Sequence, residues 1–210
     1  MESLYVQFGC GLCAPQGWRN FDASPRLKVE KLAVIKLFIP RPLFPKNCEY
    51  GDIVKGLPIM RGTCDILYSS HVLEHLSLED LRTALRNAFS ILKPRGIFRA
   101  VVPDLEAAAQ QYLASEAEDR AISFLHATSL GKTTRAKTIS AWLHDLIGNS
   151  NHLWMWDYKG LAAELRNAGF VDIRRSCFGD ADNEMIDLVE NVDRWHNAVG
   201  IHCLKPARQD

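Results

Sequence analysis

The 210-residue sequence lacks an excess of charge of either sign, since 25 Lys and Arg stand against 25 Asp and Glu. A neutral chain builds no long-range field to collect nucleic acid or anionic lipid, so neither is an expected partner. Long apolar runs are missing too, and none nears the ~20 residues that cross a hydrocarbon core. Met1-Glu2-Ser3-Leu4-Tyr5-Val6 shows none of the basic-then-apolar pattern of a secretory leader. The expectation is a cytoplasmic protein with no membrane association. Cysteine is sparse: Cys10, Cys13, Cys48, Cys64, Cys177 and Cys203 are scattered. A chain of this length has core enough without staples, so free thiols are expected. There is no internal repeat and no low-complexity tract, and nothing in the pattern sets an oligomeric state.

What is present is 47% hydrophobic residues in a strand-and-helix rhythm, read as one domain over residues 1–210. Leu4 to Phe8 is a β-prone run that opens into Gly9-Cys10-Gly11, and Trp18 to Phe21 is a second strand. Ser24-Pro25 starts a helix, with Leu27, Leu32, Ile35 and Leu37 on its apolar face and Pro40, Pro42 and Pro45 behind it. A short third strand falls within Glu49 to Val54, and the apolar Cys64 to Ser70 reads as a buried fourth. Ser77 caps a helix carrying Leu81, Leu85, Ala88, Phe89 and Leu92, stopped by Lys93-Pro94-Arg95-Gly96. Ile97 to Val102 is the strongest β run. Residues 105 to 151 read as a helical insertion, with helical patches at Leu105 to Leu113 and Ile139 to Ile147. Asp157 then caps a helix through Leu161 and Leu165, Gly169 closes it, and strands follow at Phe170 to Arg174 and Ala198 to Leu204. This alternation predicts an α/β fold with a mostly parallel sheet covered on both faces, and ligands bind such sheets beyond the strands' carboxyl ends.

Three groups fall at those ends. Gly9-Cys10-Gly11 lets the backbone turn sharply and come close to a ligand, although a lone Gly-x-Gly is equally an ordinary turn. Asp22, after the second strand, suits both hydroxyls of a ribose, or serves as a turn residue before Ser24-Pro25. Asp52 suits an exocyclic adenine amine with Ile53 packed on the ring, or is a solvated loop acid.

Together, Val6 to Gly11, Gly17 to Pro25, Cys64 to Leu76 and Leu92 to Gly96 resemble the class I S-adenosylmethionine (SAM)-dependent methyltransferases. The resemblance is strongest to a small bacterial branch related to the type 11 methyltransferases. It covers about residues 4 to 104 and resumes at His152 to Ile173. It implies a Rossmann-like, doubly wound sheet of seven strands with the last antiparallel, and SAM as cofactor. The implied cofactor-binding residues are Phe8, Gly9, Cys10, Gly11, Asp22, Ala23, Asp52, Ile53, Ser69, Ser70 and His71. Gly9 and Gly11 lie by the methionine moiety and Asp22 by the ribose. The sequence departs from the wider class in having only ten residues between Gly11 and Asp22, and Leu12-Cys13 where a third glycine is usual. Relatives in this branch are associated with sugar and polysaccharide chemistry, which makes a small-molecule or saccharide acceptor the expectation.

His71 and His152 are the candidate general bases, since an imidazole neutral near pH 7 can take a hydroxyl proton. His71-Val72-Leu73-Glu74-His75 also matches H-x-x-E-H, a zinc-peptidase pattern that needs both histidines on one helix face. The motif sits at a strand exit instead, and no metal ligand is expected from it. Trp154 and Trp156 read as core rather than pocket. Gly131-Lys132-Thr133 lacks the strand and first glycine of a phosphate loop, and Cys10-Gly11-Leu12-Cys13 lies in a turn rather than opening a redox helix. Gly9-Cys10-Gly11 with Ala14 also misses the last glycine of a nicotinamide-cofactor fingerprint. The rival from another class is a noncatalytic module that binds SAM or a nucleotide, because no acceptor motif follows the fourth strand.

Overall fold

Strands and helices alternate in the computed structural model of the chain, which describes residues 3–31, 43–133 and 151–207. The strands are β1 (Tyr5–Phe8), β2 (Trp18–Asp22), β3 (Cys48–Tyr50), β4 (Cys64–Ser70), β5 (Leu92–Pro103), β6 (Val171–Ser176) and β7 (Ala198–Leu204). They form one sheet in the order β3-β2-β1-β4-β5-β7-β6. β1 to β5 pair in parallel, and β7 lies antiparallel to both its neighbours, β5 and β6. The seven-stranded, Rossmann-like sheet with its last strand reversed is the one expected. Among the described residues no helix is long and apolar enough to cross a membrane, and all six cysteines are free thiols.

Side-chain alternation sends each central strand into two separate cores. Val6, Phe8, Leu67, Phe98, Ala100 and Val102 face α2 (Leu78–Ile91) and α5 (Tyr158–Asn167), which bury Leu81, Leu85, Ala88, Leu161 and Leu165. Each fully buried leucine contributes about 1.5–3 kcal/mol. Both helices start on the predicted caps: Ser77 Oγ accepts from Asp80 N at 3.2 Å, and Asp157 Oδ1 accepts from Gly160 N at 2.6 Å. On the opposite face Trp18, Ile66, Tyr68 and Val101 are covered by Ile186 and Val189. Those two come from a segment holding only α6 (Glu184–Asp187) and a 3-10 turn, Val192–Trp195. This cover is thin, and polar bonds supplement it.

Several boundaries differ from expectation for local reasons. α2 stops at Ile91, so Leu92 opens β5 instead of closing the helix. Lys93-Pro94-Arg95-Gly96 is then a bulge within β5: pairing passes from Cys64–Leu92 to Ile66–Ile97. Arg95 sits at φ 64, and a Cβ on Gly96 would lie 2.9 Å from the Lys93 carbonyl oxygen. β3 ends at Tyr50 because the chain turns at Asp52, whose Oδ1 accepts from Val54 N at 3.0 Å. α1 is described over Pro25–Glu30, so Leu32, Ile35 and Leu37 lie outside the described residues, as does the patch at 139–147. Within the insertion, α3 (Leu105–Ala114) matches expectation, and α4 (Arg120–Ala127) is an additional helix packed against it.

Candidate functional site

β1, β2, β3 and β4 are staggered so little that Phe8 pairs with both Phe21 and Ser69, and Asp22 with Tyr50. Their carboxyl ends therefore release Gly9, Ala23, Gly51 and His71 along one edge. A cavity of about 470 Å³ opens there, bordered by Phe8, Gly9, Asp22, Ala23, Asp52, Ile53, His71 and His75. Gly9 sits at φ +68, and a Cβ built on it overlaps the Val72 Cγ2 methyl. Only glycine meets both demands. Gly11 follows at φ +53 with open space where its Cβ would be.

The glycine turn and the acid that ends β2 are joined. Asp22 Oδ2 accepts the Gly11 N–H at 2.9 Å, and Oδ1 accepts the Ser24 N–H at 2.8 Å. Each oxygen keeps a further lone pair, and the carboxylate borders the cavity. Along its wall Asp52 is tied by Val54 N and by Lys55 Nζ at 3.3 Å, while Ile53 is buried, its carbonyl accepting from Asn87 Nδ2 at 2.8 Å.

The other predicted residues divide between two places. Cys10, Gly11 and Ser70 border a second cavity of about 490 Å³, which shares Gly9 with the first and adds Tyr68, Asn191 and Arg194. Ser69 is buried and borders neither. Two buried amides stand under this second cavity that sequence reasoning passed over. Gln7 Nε2 donates to Asn20 Oδ1 at 2.6 Å and to the Cys13 carbonyl at 2.8 Å, and Asn20 Nδ2 donates to the Trp18 carbonyl at 2.9 Å. They hold the nine-residue loop from Gly9 to Gly17 that joins β1 to β2. The one trace in the sequence is a polar residue within each strand, which does not tell a buried amide, costly if unpaired, from one that faces water.

Asn191 and Arg194 come from the 177–197 segment, which the sequence reading left without a role. Arg99 on β5 anchors it. The guanidinium, fully buried, donates to Glu190 Oε1 at 2.6 Å, Asp180 Oδ1 at 2.8 Å and the Cys177 carbonyl at 2.8 Å, and lies 5.0 Å from the Trp195 ring centroid.

The two candidate bases differ. His71, at φ 55 directly after β4, borders the first cavity, with Nδ1 3.1 Å from Ser70 Oγ. Burial, then the Arg194 charge and the neighbouring imidazoles, push it down to about 4, so it is neutral at physiological pH. His152 borders neither cavity; its Nε2 lies 4.0 Å from Glu74 Oε1, and burial lowers its pKa as well. H-x-x-E-H does not lie along one helix: Leu73–His75 forms a 3-10 turn, and His71 precedes it in the left-handed region. Burial holds the Glu74 carboxyl up at about 8. The tryptophans also separate, with Trp156 in the core and Trp154 exposed.

A family model described as a methyltransferase domain matches residues 10–174. No curated protein sequence matches the chain. Among solved structures, a Haloferax volcanii chain from the complex of the Trm112 methyltransferase activator with its partner superposes with a TM-score of 0.50 at 17% identity, covering 98% of this chain and 83% of that one. Haemonchus contortus phosphoethanolamine N-methyltransferase 2, bound to phosphomonomethylethanolamine and S-adenosylhomocysteine, gives 0.51 at 12% identity over 98% of this chain. The methyltransferase SibL, described as S-adenosylmethionine-dependent, gives 0.50 at 16% identity over 97%. This chain spans half the length of each of the latter two. At such identities the superpositions speak to the fold, which is the class I methyltransferase fold. With the family model matching most of its length, the chain belongs to the methyltransferase domain family.

Proposed function

We propose that the chain is an enzyme that uses SAM to methylate a small or medium-sized acceptor, with sugar and other hydroxyl compounds as the class to try first. The observation that carries this reading is the Asp22 carboxylate, held by two backbone N–H groups and facing the cavity that Asp52 and Ile53 border. A nucleoside fits that donor and acceptor set. The ribose hydroxyls meet Asp22, the ring lies on Ile53, and the amine meets Asp52, while Gly9 and Gly11 leave the backbone bare for the methionine portion.

SAM held by these residues would supply a methyl on a sulfonium, for transfer to an acceptor oxygen with the carbon–sulfur bond breaking as the carbon–oxygen bond forms. The protein's part is to hold the two partners in line and keep water out, which for well-oriented reactants supplies about 7–11 kcal/mol. Ser70, Asn191 and Arg194 of the second cavity offer hydroxyl, amide and guanidinium groups for a hydroxyl-rich acceptor. The acceptor proton, made strongly acidic as its oxygen takes the methyl, needs no strong base and is lost to solvent. A histidine with a pKa near 4 is a weak one at neutral pH, so His71 serves better by accepting a hydrogen bond that aims the hydroxyl.

Calorimetric titration with SAM and S-adenosylhomocysteine tests the cofactor assignment, with micromolar binding and competition by adenosine as the expected result. No heat from either ligand overturns it. Transfer of labelled methyl to a panel of sugars separates an enzyme from a module that only binds.

A further inference from the structure

Behind the cavity wall that His75 forms, three side chains converge with no part in the reading above. One carboxylate oxygen of Glu74 and one ring nitrogen each of His75 and His152 lie within 4.8 Å of one another. Glu74 Oε1 stands 4.0 Å from the Nε2 of both histidines, too far for hydrogen bonds. Ligands of one tetrahedral ion at ~2.1 Å stand about 3.4 Å apart, so closure asks for movements on the order of half an ångström per side chain.

The surroundings are those of ligands awaiting a centre. The Glu74 side chain is 1% exposed, and neither of its oxygens has a hydrogen-bond partner among the described residues. Burial without a hydrogen bond disfavours the ionised carboxylate, and a cation held against it is what would restore the charged form. His152 Nδ1 is likewise buried without a partner. His75 Nδ1 lies 3.1 Å from the Asn151 carbonyl oxygen, which can only accept. The proton is therefore on Nδ1 and the lone pair on Nε2, the arrangement that metal-ligating histidines use. The backbone presets the group as well: the Glu74 carbonyl accepts from Leu153 N at 2.8 Å and Trp154 N at 3.1 Å, which ties the loop carrying His152 to the Leu73–His75 turn.

We infer that Glu74, His75 and His152 form a binding site for one divalent first-row transition cation, with a coordination position left over for water or a ligand oxygen. Two imidazoles and a carboxylate are borderline donors that favour zinc, cobalt or iron over magnesium and calcium, which prefer all-oxygen sites. His71 is outside the cluster, so this is not the helical H-x-x-E-H arrangement; its second imidazole comes from the far side of the insertion. The site stands apart from the methyl-transfer reading.

The test is calorimetric titration of the chelator-stripped full chain with zinc chloride and, separately, magnesium chloride. One zinc per chain, with magnesium at least a hundredfold weaker, is the expected result, and cobalt should give visible absorption bands of a low-coordinate ion. His152→Gln and Glu74→Gln should each weaken zinc binding at least tenfold, while the exposed His126→Gln leaves it unchanged. Absence of a one-to-one zinc event, or full affinity in His152→Gln that is folded by circular dichroism, overturns the inference. If Glu74→Gln fails to fold, His152→Gln decides alone. A parallel SAM titration of each protein shows whether a failure belongs to the metal site or to the cofactor reading.

Discussion

The N–H of Gly11 donates to Asp22 Oδ2 at 2.9 Å, so the turn after β1 and the acid that ends β2 are one unit despite their separation in sequence. Asp22→Ala then removes two things at once, a ribose acceptor and the brace on the loop. SAM affinity should fall tenfold or more by calorimetry, with the melting temperature lowered only slightly because the residue is at the cavity edge. Unchanged affinity would remove the ribose assignment.

Gly9 and Val72 make a second pair. Gly9→Ala sets a Cβ against the Val72 methyl on a backbone at φ +68, and should both lower the melting temperature and weaken SAM binding. Adding Val72→Ala relieves the overlap but not the left-handed backbone, which costs about 1–2 kcal/mol for a side-chain-bearing residue. Partial recovery in the double variant is the expected outcome in thermal shift, and no recovery would mean that the overlap is not what limits the site.

Arg99→Met leaves the Glu190 carboxylate buried without its cation. Removing one partner of such a pair costs about 3–5 kcal/mol, which in a chain of this size lowers the melting temperature by roughly 6 °C or more. Because Arg99 anchors the segment bearing Asn191 and Arg194, acceptor turnover should fall further than SAM affinity. Equal losses would place the segment's role elsewhere.

Acid sensitivity should come partly from His202. Burial, with Arg174 and Arg99 nearby, pushes it down to about 4, against about 6.5 for an exposed imidazole. The unfolded chain therefore takes up the proton first as pH falls. Its contribution is complete above pH ~6.5 and drains away between there and pH 4. His202→Gln should raise the urea midpoint at pH 5 relative to that at pH 7, leaving the parts due to His71 and His152, displaced in the same direction, and the opposing part of Glu74, whose raised carboxyl stabilises the fold as pH falls. Identical slopes in the two proteins would contradict the burial argument.

The sheet was legible because buried parallel strands such as Cys64 to Ser70 carry continuous apolar runs between polar stops. Gly9, Asp22 and Asp52 were legible because each lies at the carboxyl end of a strand or just beyond it. Leu92 and the residues after it were not: helix periodicity runs on past Ile91, and only the sheet's pairing with Cys64 shows that the chain has already turned. Gln7 and Arg99 were hidden because a polar residue inside a strand looks the same in sequence whether it faces water or a partner. Glu190, Asp180 and Asn20, which decide the matter, arrive from distant segments. The Glu74 cluster was hidden in the same way, since the motif pairs Glu74 with His71 and the fold pairs it with His152.

The reversed strand β7 also sets an order of assembly. β6 has β7 as its single neighbour in the sheet, and β7 is made after it. During synthesis β1 to β5 can pair as soon as they emerge, while β6 waits with no strand beside it until β7 slides between it and β5. Both β5 and β6 carry an open edge through that interval, the condition in which exposed strands recruit other chains. β7 is thus what covers the open side of β5 and gives β6 its one neighbour.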